Sequence, residues 1–244
     1  VIAAFALAGC LVALWLVSLR QRDSSLIDLF WGPAFGVIAW LTGPSHPRGF
    51  LVAGLVTAWG LRLGLYLAWR NLGHGEDKRY TAMRQKHGAH WWWRSLFIVF
   101  GLQGVLAWVV SWPVRSALLA PFEGWRPSDA MGTALVLIGV AFESLGDWQL
   151  ARFKANPANR GRIMDQGLWR YTRHPNYFGD FVVWWGLGVI GWDPLALVGP
   201  LVMSVLLIRV SGKALLEQGM KDRPGFAEYA ARTSGFFPWW PRGR

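Results

Sequence analysis

Met131-Gly-Thr-Ala-Leu-Val-Leu-Ile-Gly-Val-Ala-Phe-Glu-Ser-Leu-Gly-Asp-Trp-Gln-Leu150 is a largely apolar run with two acids, Glu143 and Asp147, set four residues apart. As a helix rising about 1.5 Å per residue, it matches a hydrocarbon core of roughly 30 Å. Spacing of four puts both acids on one face. Six further apolar blocks flank it: Val1–Leu19, Leu26–Leu41, Phe50–Trp69, Leu96–Trp112, Phe181–Trp192 with an N-terminal extension, and Leu195–Ile208. Trp15, Trp40, Trp69, Trp112 and Trp192 fall towards block ends, where an interfacial aromatic belt is expected. The reading is an all-α, polytopic transmembrane helix bundle of about seven spans, built as one domain over residues 1–244.

Charge distribution sets an expected orientation. The net charge of +11 invites a nucleic-acid partner, but its placement argues for a membrane instead. Loops 20–25, 70–94, 152–175 and 209–244 hold 2, 6, 6 and 7 Lys/Arg, 21 in all, and the intervening loops hold only Arg48, Arg115 and Arg126. That asymmetry predicts an N-terminus outside and a C-terminus in the cytoplasm. The first block lacks a basic n-region and is followed by Arg20 and Arg22, so it reads as a helix rather than a signal peptide. Cys10 is the only cysteine, which excludes a disulfide within the chain and a cysteine-based metal site. His74, His87 and His90 lack ligand-like spacing, and no metal is expected.

Ionisable groups inside spans each cost about 2.5–3.5 kcal/mol on insertion scales, so they need partners or a task. They fall into stripes: Arg62, Tyr66 and Arg70; Glu143, Asp147 and, beyond them, Lys154; Asn176 and Asp180; Arg209, Lys213 and Glu217; with Asp28 alone near the start of the second block. In the expected orientation all lie towards the cytoplasm, which implies a polar cavity or a set of salt bridges that orients the bundle. Asp28 could equally cap its helix. Two basic stretches, Arg70-Asn-Leu-Gly-His-Gly-Glu-Asp-Lys-Arg-Tyr80 and Arg170-Tyr-Thr-Arg-His-Pro-Asn-Tyr-Phe-Gly179, carry guanidinium forks suited to phosphate oxygens. Lys86 and Arg94 read better as contacts to anionic lipid headgroups. Gly186-Leu-Gly-Val-Ile-Gly191 matches a dinucleotide fingerprint but lies in an apolar block without a preceding strand. Close helix packing explains it better, as for Gly32/Gly36 and Gly60/Gly64.

Asp28-Leu-Phe-Trp-Gly32, Gly75-Glu-Asp-Lys-Arg-Tyr80, Arg173-His-Pro-Asn-Tyr-Phe-Gly179 and Arg232-Thr-Ser-Gly-Phe-Phe-Pro-Trp-Trp-Pro241 together resemble a bacterial, steroid 5-alpha-reductase-like membrane family. Its wider relatives are steroid 5-alpha reductases, sterol C14 reductases and isoprenylcysteine carboxyl methyltransferases. The resemblance implies a cofactor held by the C-terminal half, about 131–244: NADPH in the reductases, S-adenosylmethionine in the methyltransferases. It places Arg62, Arg70, Asn71, Asp147, Lys154, Asn176, Asp180, Arg209 and Lys213 around that cofactor, and the stripe and loop readings add Glu143, Tyr171, Arg173, His174 and Tyr177. Where the reductases carry a Gln-Glu pair and a tyrosine for the substrate ketone, this sequence has Asp28 and Trp59.

The function expected is an NADPH-dependent reductase of an activated C=C bond in a steroid-like or other lipophilic enone entering from the bilayer. Asp28, kept protonated by an apolar setting, and Tyr66 are its expected proton donors. The alternatives are a methyltransferase using S-adenosylmethionine on a lipophilic acceptor, and a lipid-binding or scaffold protein without catalysis. A bacterial cytoplasmic membrane is the expected location, with membrane lipids as partners and no nucleic acid.

Overall fold

The computed structural model describes residues 1–242, so Arg244, counted above with the basic C-terminal loop, lies outside the described residues. Among the described residues, five helical runs are long and apolar enough to cross a membrane: Ile2–Gln21, Pro47–Asn71, Lys78–Val110, Pro127–Ala155 and Pro194–Met220. Two shorter apolar helices, Leu26–Thr42 and Pro175–Gly191, accompany them. No strand occurs among the described residues beyond an isolated bridge between Thr172 and Ser234. The protein is an all-helical, multi-pass membrane protein. It forms two compact units, residues 1–126 with 191–198, and residues 127–190 with 199 onward.

The first unit contains α1 (Ile2–Gln21), α2 (Leu26–Thr42), α3 (Pro47–Asn71), α4 (Lys78–His87), α5 (Trp91–Ser95), α6 (Leu102–Val110) and α7 (Trp112–Leu119). Lipid tails are as apolar as leucine, so α2 and α3 gain stability through close contact rather than by excluding water. Gly32 meets Gly60 backbone to backbone, Gly36 faces Thr57, and Gly64 sits against the Leu29 carbonyl and the Pro33 ring. Residue numbers rise on one helix as they fall on the other, so the pair is antiparallel. The small residues thus do what their spacing predicts. Phe35, Ile38, Val52, Val56 and Trp59 fill the buried layer beside this seam.

The stretch 70–94, expected as a loop, is largely helical. After α3, Gly73 and Gly75 take left-handed φ values of 83° and 80°, turning the chain within a few residues. Asp77 then accepts a hydrogen bond from the Arg79 backbone N–H and caps α4. Charged residues hid this helix from a hydropathy reading, but Arg, Lys, Gln, Met and Ala are good helix formers. The helical run continues through a wide π turn at Leu96–Gly101 into α6.

The second unit contains α8 (Pro127–Ala155), α9 (Pro175–Gly191), α10 (Val198–Val205), α11 (Lys213–Met220) and α12 (Phe226–Arg232). Gly132, Gly139 and Gly146 recur every seven residues on α8, and Gly179 and Gly186 do so on α9. A Cβ on Gly139 would lie 2.6 Å from the Gly179 carbonyl oxygen, and one on Gly186 2.7 Å from that of Gly132. This antiparallel seam buries Glu143 and Asp147, each 3% exposed, on the glycine face of α8. Gly186-Leu-Gly-Val-Ile-Gly191 forms the end of α9, in keeping with a packing role.

The stripe expected through Arg209, Lys213 and Glu217 is interrupted. A π turn at Leu206–Val210 and a break at Ser211–Gly212 intervene, so only Lys213 and Glu217 share a regular helix, α11. After α12 the C-terminal tail docks along residues 171–173. Arg173 N–H donates to the Ser234 carbonyl (2.9 Å), the Thr172 hydroxyl to that of Phe236 (2.7 Å), and Trp239 N–H to that of Tyr171 (3.0 Å).

Candidate functional site

In the first unit, three helices converge on Asp28. Its Oδ2 pairs with Arg79 Nη2 at 2.8 Å, and its Oδ1 accepts the Tyr80 hydroxyl at 2.7 Å. Gln103, on α6, donates through Nε2 to the Tyr80 oxygen at 3.1 Å. Arg79 also reaches Asp77 through Nε at 3.0 Å. Asp28 does not cap α2, whose N-cap residue Ser25 makes no side-chain cap hydrogen bond; Asp23 accepts the Ser25 backbone N–H and the Ser25 hydroxyl just before the helix. Both Asp28 oxygens therefore accept hydrogen bonds, one of them from the Arg79 guanidinium, a partner that the sequence reading does not give Asp28. A small chamber of about 10 Å³ borders Gln103, Trp31 and Leu11, room for about one water molecule.

A second cluster secures the turn before α4. Glu76 takes Arg84 Nη2 at 2.7 Å, Arg84 Nε at 3.0 Å and the Ser24 backbone N–H at 2.8 Å. Arg84 lies over the Trp91 ring, whose indole N–H donates to the Ser24 hydroxyl at 3.3 Å. Burial pushes the Glu76 carboxyl up, but the Arg84 hydrogen bonds and charge, with the Ser24 N–H, outweigh it and hold the pKa below the usual value.

In the second unit, Glu217 on α11 receives Arg173 Nε at 2.8 Å and His174 Nε2 at 3.0 Å. Arg173 Nη1 donates to the carbonyls of Ala230 (2.9 Å) and Thr233 (2.7 Å), so one guanidinium ties together the α9 entry, α11 and the end of α12. Tyr177 stacks on the His174 ring with a 5.7 Å centroid separation. Burial pushes the His174 imidazole down, more than the neighbouring Glu217 raises it, so the ring is held neutral with Nε2–H donating. Gly235 lies beneath two cations: a Cβ there would fall 2.8 Å from Lys213 Nζ and 3.0 Å from Arg173 Nη2. Lys213 has no hydrogen-bond or ion-pair partner among the described residues.

The remaining expected residues distribute as follows. Asn176 Nδ2 donates to Asp147 Oδ1 at 3.1 Å, joining α9 to α8, with Glu143 and Asp180 also buried on these helices. Tyr66 lies between the guanidinium groups of Arg62 and Arg70, 5.5 and 5.6 Å from its ring centre, so the predicted face exists. Asn71 accepts from Arg70 Nε at 2.9 Å. Tyr171 packs edge-on against Trp240. Lys154 and Arg209 are exposed. Arg79, Tyr80, Gln103 and Glu217 were not among the expected site residues. Gln103, an amide within an apolar block, is the signal that could have disclosed the first cluster.

No solved structure matches the chain. A curated relative, the uncharacterized protein C594.04c of Schizosaccharomyces pombe, is 24% identical over 269 residues, covering 92% of this chain and 75% of that protein. The family model described as "Protein of unknown function (DUF1295)" matches residues 14–233. With nine-tenths of its length accounted for by that match, the chain belongs to the DUF1295 family.

Proposed function

We propose that the protein is an NADPH-dependent membrane reductase of an activated C=C bond in a lipophilic substrate. The observation that carries this reading is the pair of cations over Gly235. Lys213 offers an unspent ammonium and Arg173 a partly spent edge, both closing on the Gly235 backbone in space that a Cβ would take. Phosphate oxygens suit that donor set. NADPH, when bound, supplies the hydride for the β-carbon of the substrate. In the first unit, taken by itself, Asp28, Arg79, Tyr80 and Gln103 form a closed hydrogen-bonded set in which the Tyr80 proton is already donated to Asp28. The steroid 5-alpha-reductase-like motifs and the lysine and arginine asymmetry support a site facing the cytoplasm of a bacterial cell, beneath about seven spans.

A methyltransferase using S-adenosylmethionine is the second reading. What favours it is that Arg173 already holds Glu217 and Arg79 already holds Asp28, leaving fewer cations for a pyrophosphate. Calorimetric titration of the detergent-purified protein with NADPH, NADH and S-adenosylmethionine separates the two. NADPH binding that is tighter than NADH binding and is lost in Lys213→Ala is the expected result. Binding of S-adenosylmethionine alone overturns the reductase reading, and heat from none of the three leaves a lipid-binding or scaffold protein.

A further inference from the structure

At the C-terminal end of α1 a cleft of about 400 Å³ opens between Leu19, Arg22, Arg84, Trp91 and Trp92. It belongs to neither cluster of the proposed reaction. Arg84 is fixed by Glu76 and Ser24 through Nε and Nη2, which leaves its Nη1 edge without a partner among the described residues. The Glu76 charge is thereby matched. Arg22, exposed and held at a left-handed φ of 54°, makes no ion pair or side-chain hydrogen bond among the described residues, so the cleft carries an unbalanced positive charge. Beside it α1 presents Leu16 and Val17 outward, and Trp92 is 60% exposed. Trp15 binds the Trp92 carbonyl through its indole N–H at 3.0 Å, fixing two tryptophans at the level where such rings mark a membrane interface.

An apolar strip running into a basic, indole-walled cleft is complementary to one class of molecule. We infer that the cleft holds the phosphodiester head of an anionic glycerophospholipid, with an acyl chain along Leu16 and Trp92. A soluble phosphate would use the arginines but not the strip. A zwitterionic lipid would bring a quaternary ammonium against the same cations.

Native mass spectrometry of the full chain in detergent tests this with dioleoylphosphatidylglycerol, dioleoylphosphatidylcholine and inorganic phosphate as separate probes. The expected result is a one-to-one phosphatidylglycerol adduct that inorganic phosphate at equal concentration does not displace. Arg22→Asn, chosen because asparagine tolerates a left-handed backbone, should weaken the adduct about fivefold, the loss expected for one surface cation. Trp92→Ala should weaken it as well, and Lys221→Gln, in the other unit, should not. Equal retention of phosphatidylcholine, equal loss in Lys221→Gln, displacement by inorganic phosphate, or no loss in Arg22→Asn would each overturn the assignment.

Discussion

His174 Nε2 and Glu217 Oε1 stand 3.0 Å apart, and the residue before His174 grips the same carboxylate. The unfolded chain takes up a proton on this imidazole near the ordinary value of 6.5, whereas the buried ring does so only at lower pH. The folded state therefore binds fewer protons in the window below 6.5, and stability should fall as pH drops through it, with no contribution above. Thermal unfolding between pH 8 and pH 5 should show this slope, and His174→Gln should flatten it.

Glu217→Ala should cost about 2–3 kcal/mol, because it strands a largely buried Arg173 and removes the imidazole's acceptor. Arg173 also holds the carbonyls at 230 and 233, so the loss should be felt at a distance in sequence. Hydrogen exchange in residues 233–242 should quicken while that of α8 stays unchanged.

Gly139→Ala forces a methyl group to within 2.6 Å of a facing carbonyl, and neither backbone can give way cheaply. A loss of about 1–3 kcal/mol is expected in denaturant unfolding. Gly54→Ala on α3, with nothing within 4 Å, should be neutral or slightly stabilising because alanine favours helix.

The Glu76–Arg84 clamp makes its contribution above the ordinary carboxylate value of 4.5 and loses it as pH falls through the lowered folded value. Glu76→Gln should then cost about 1–2 kcal/mol at pH 7 and much less near pH 3. Parallel melts of both proteins at the two pH values test the difference.

Tyr80→Phe removes the hydroxyl that Asp28 Oδ1 and Gln103 Nε2 share, and should cost about 1–2 kcal/mol in denaturant unfolding. If the reductase reading holds, Tyr66→Phe should leave turnover within about threefold, since the ring that lies between Arg62 and Arg70 survives the change. Denaturant melts for the first variant and steady-state kinetics for the second give the two quantities.

The apolar helices and the Gly32/Gly36–Gly60/Gly64 seam were legible in the sequence because both rest on local signals, apolar length and small residues at repeat spacing, whereas the charged α4 was not. Arg62, Tyr66 and Arg70 share their predicted face for the same reason. The Asp28 partnership was not legible, since Arg79, Tyr80 and Gln103 lie 51 to 75 residues away in the chain. A buried acid and its counter-ion announce themselves separately, and only the fold pairs them. Arg209 misled for a different reason: a helical stripe assumes an unbroken period, which the π turn and the Ser211–Gly212 break remove.

The other π turn, at Leu96–Gly101, bears directly on that pairing. A wide turn accommodates one residue more than a regular turn does, and one residue is worth about 100° of rotation. Upstream and downstream faces of this run are thus out of phase, and Gln103 meets Tyr80 through that offset. Removing a single residue between 96 and 101 would keep the run helical and nearly as apolar. It would also aim the amide away from the phenol, so the polar cluster is encoded in chain length as much as in residue identity.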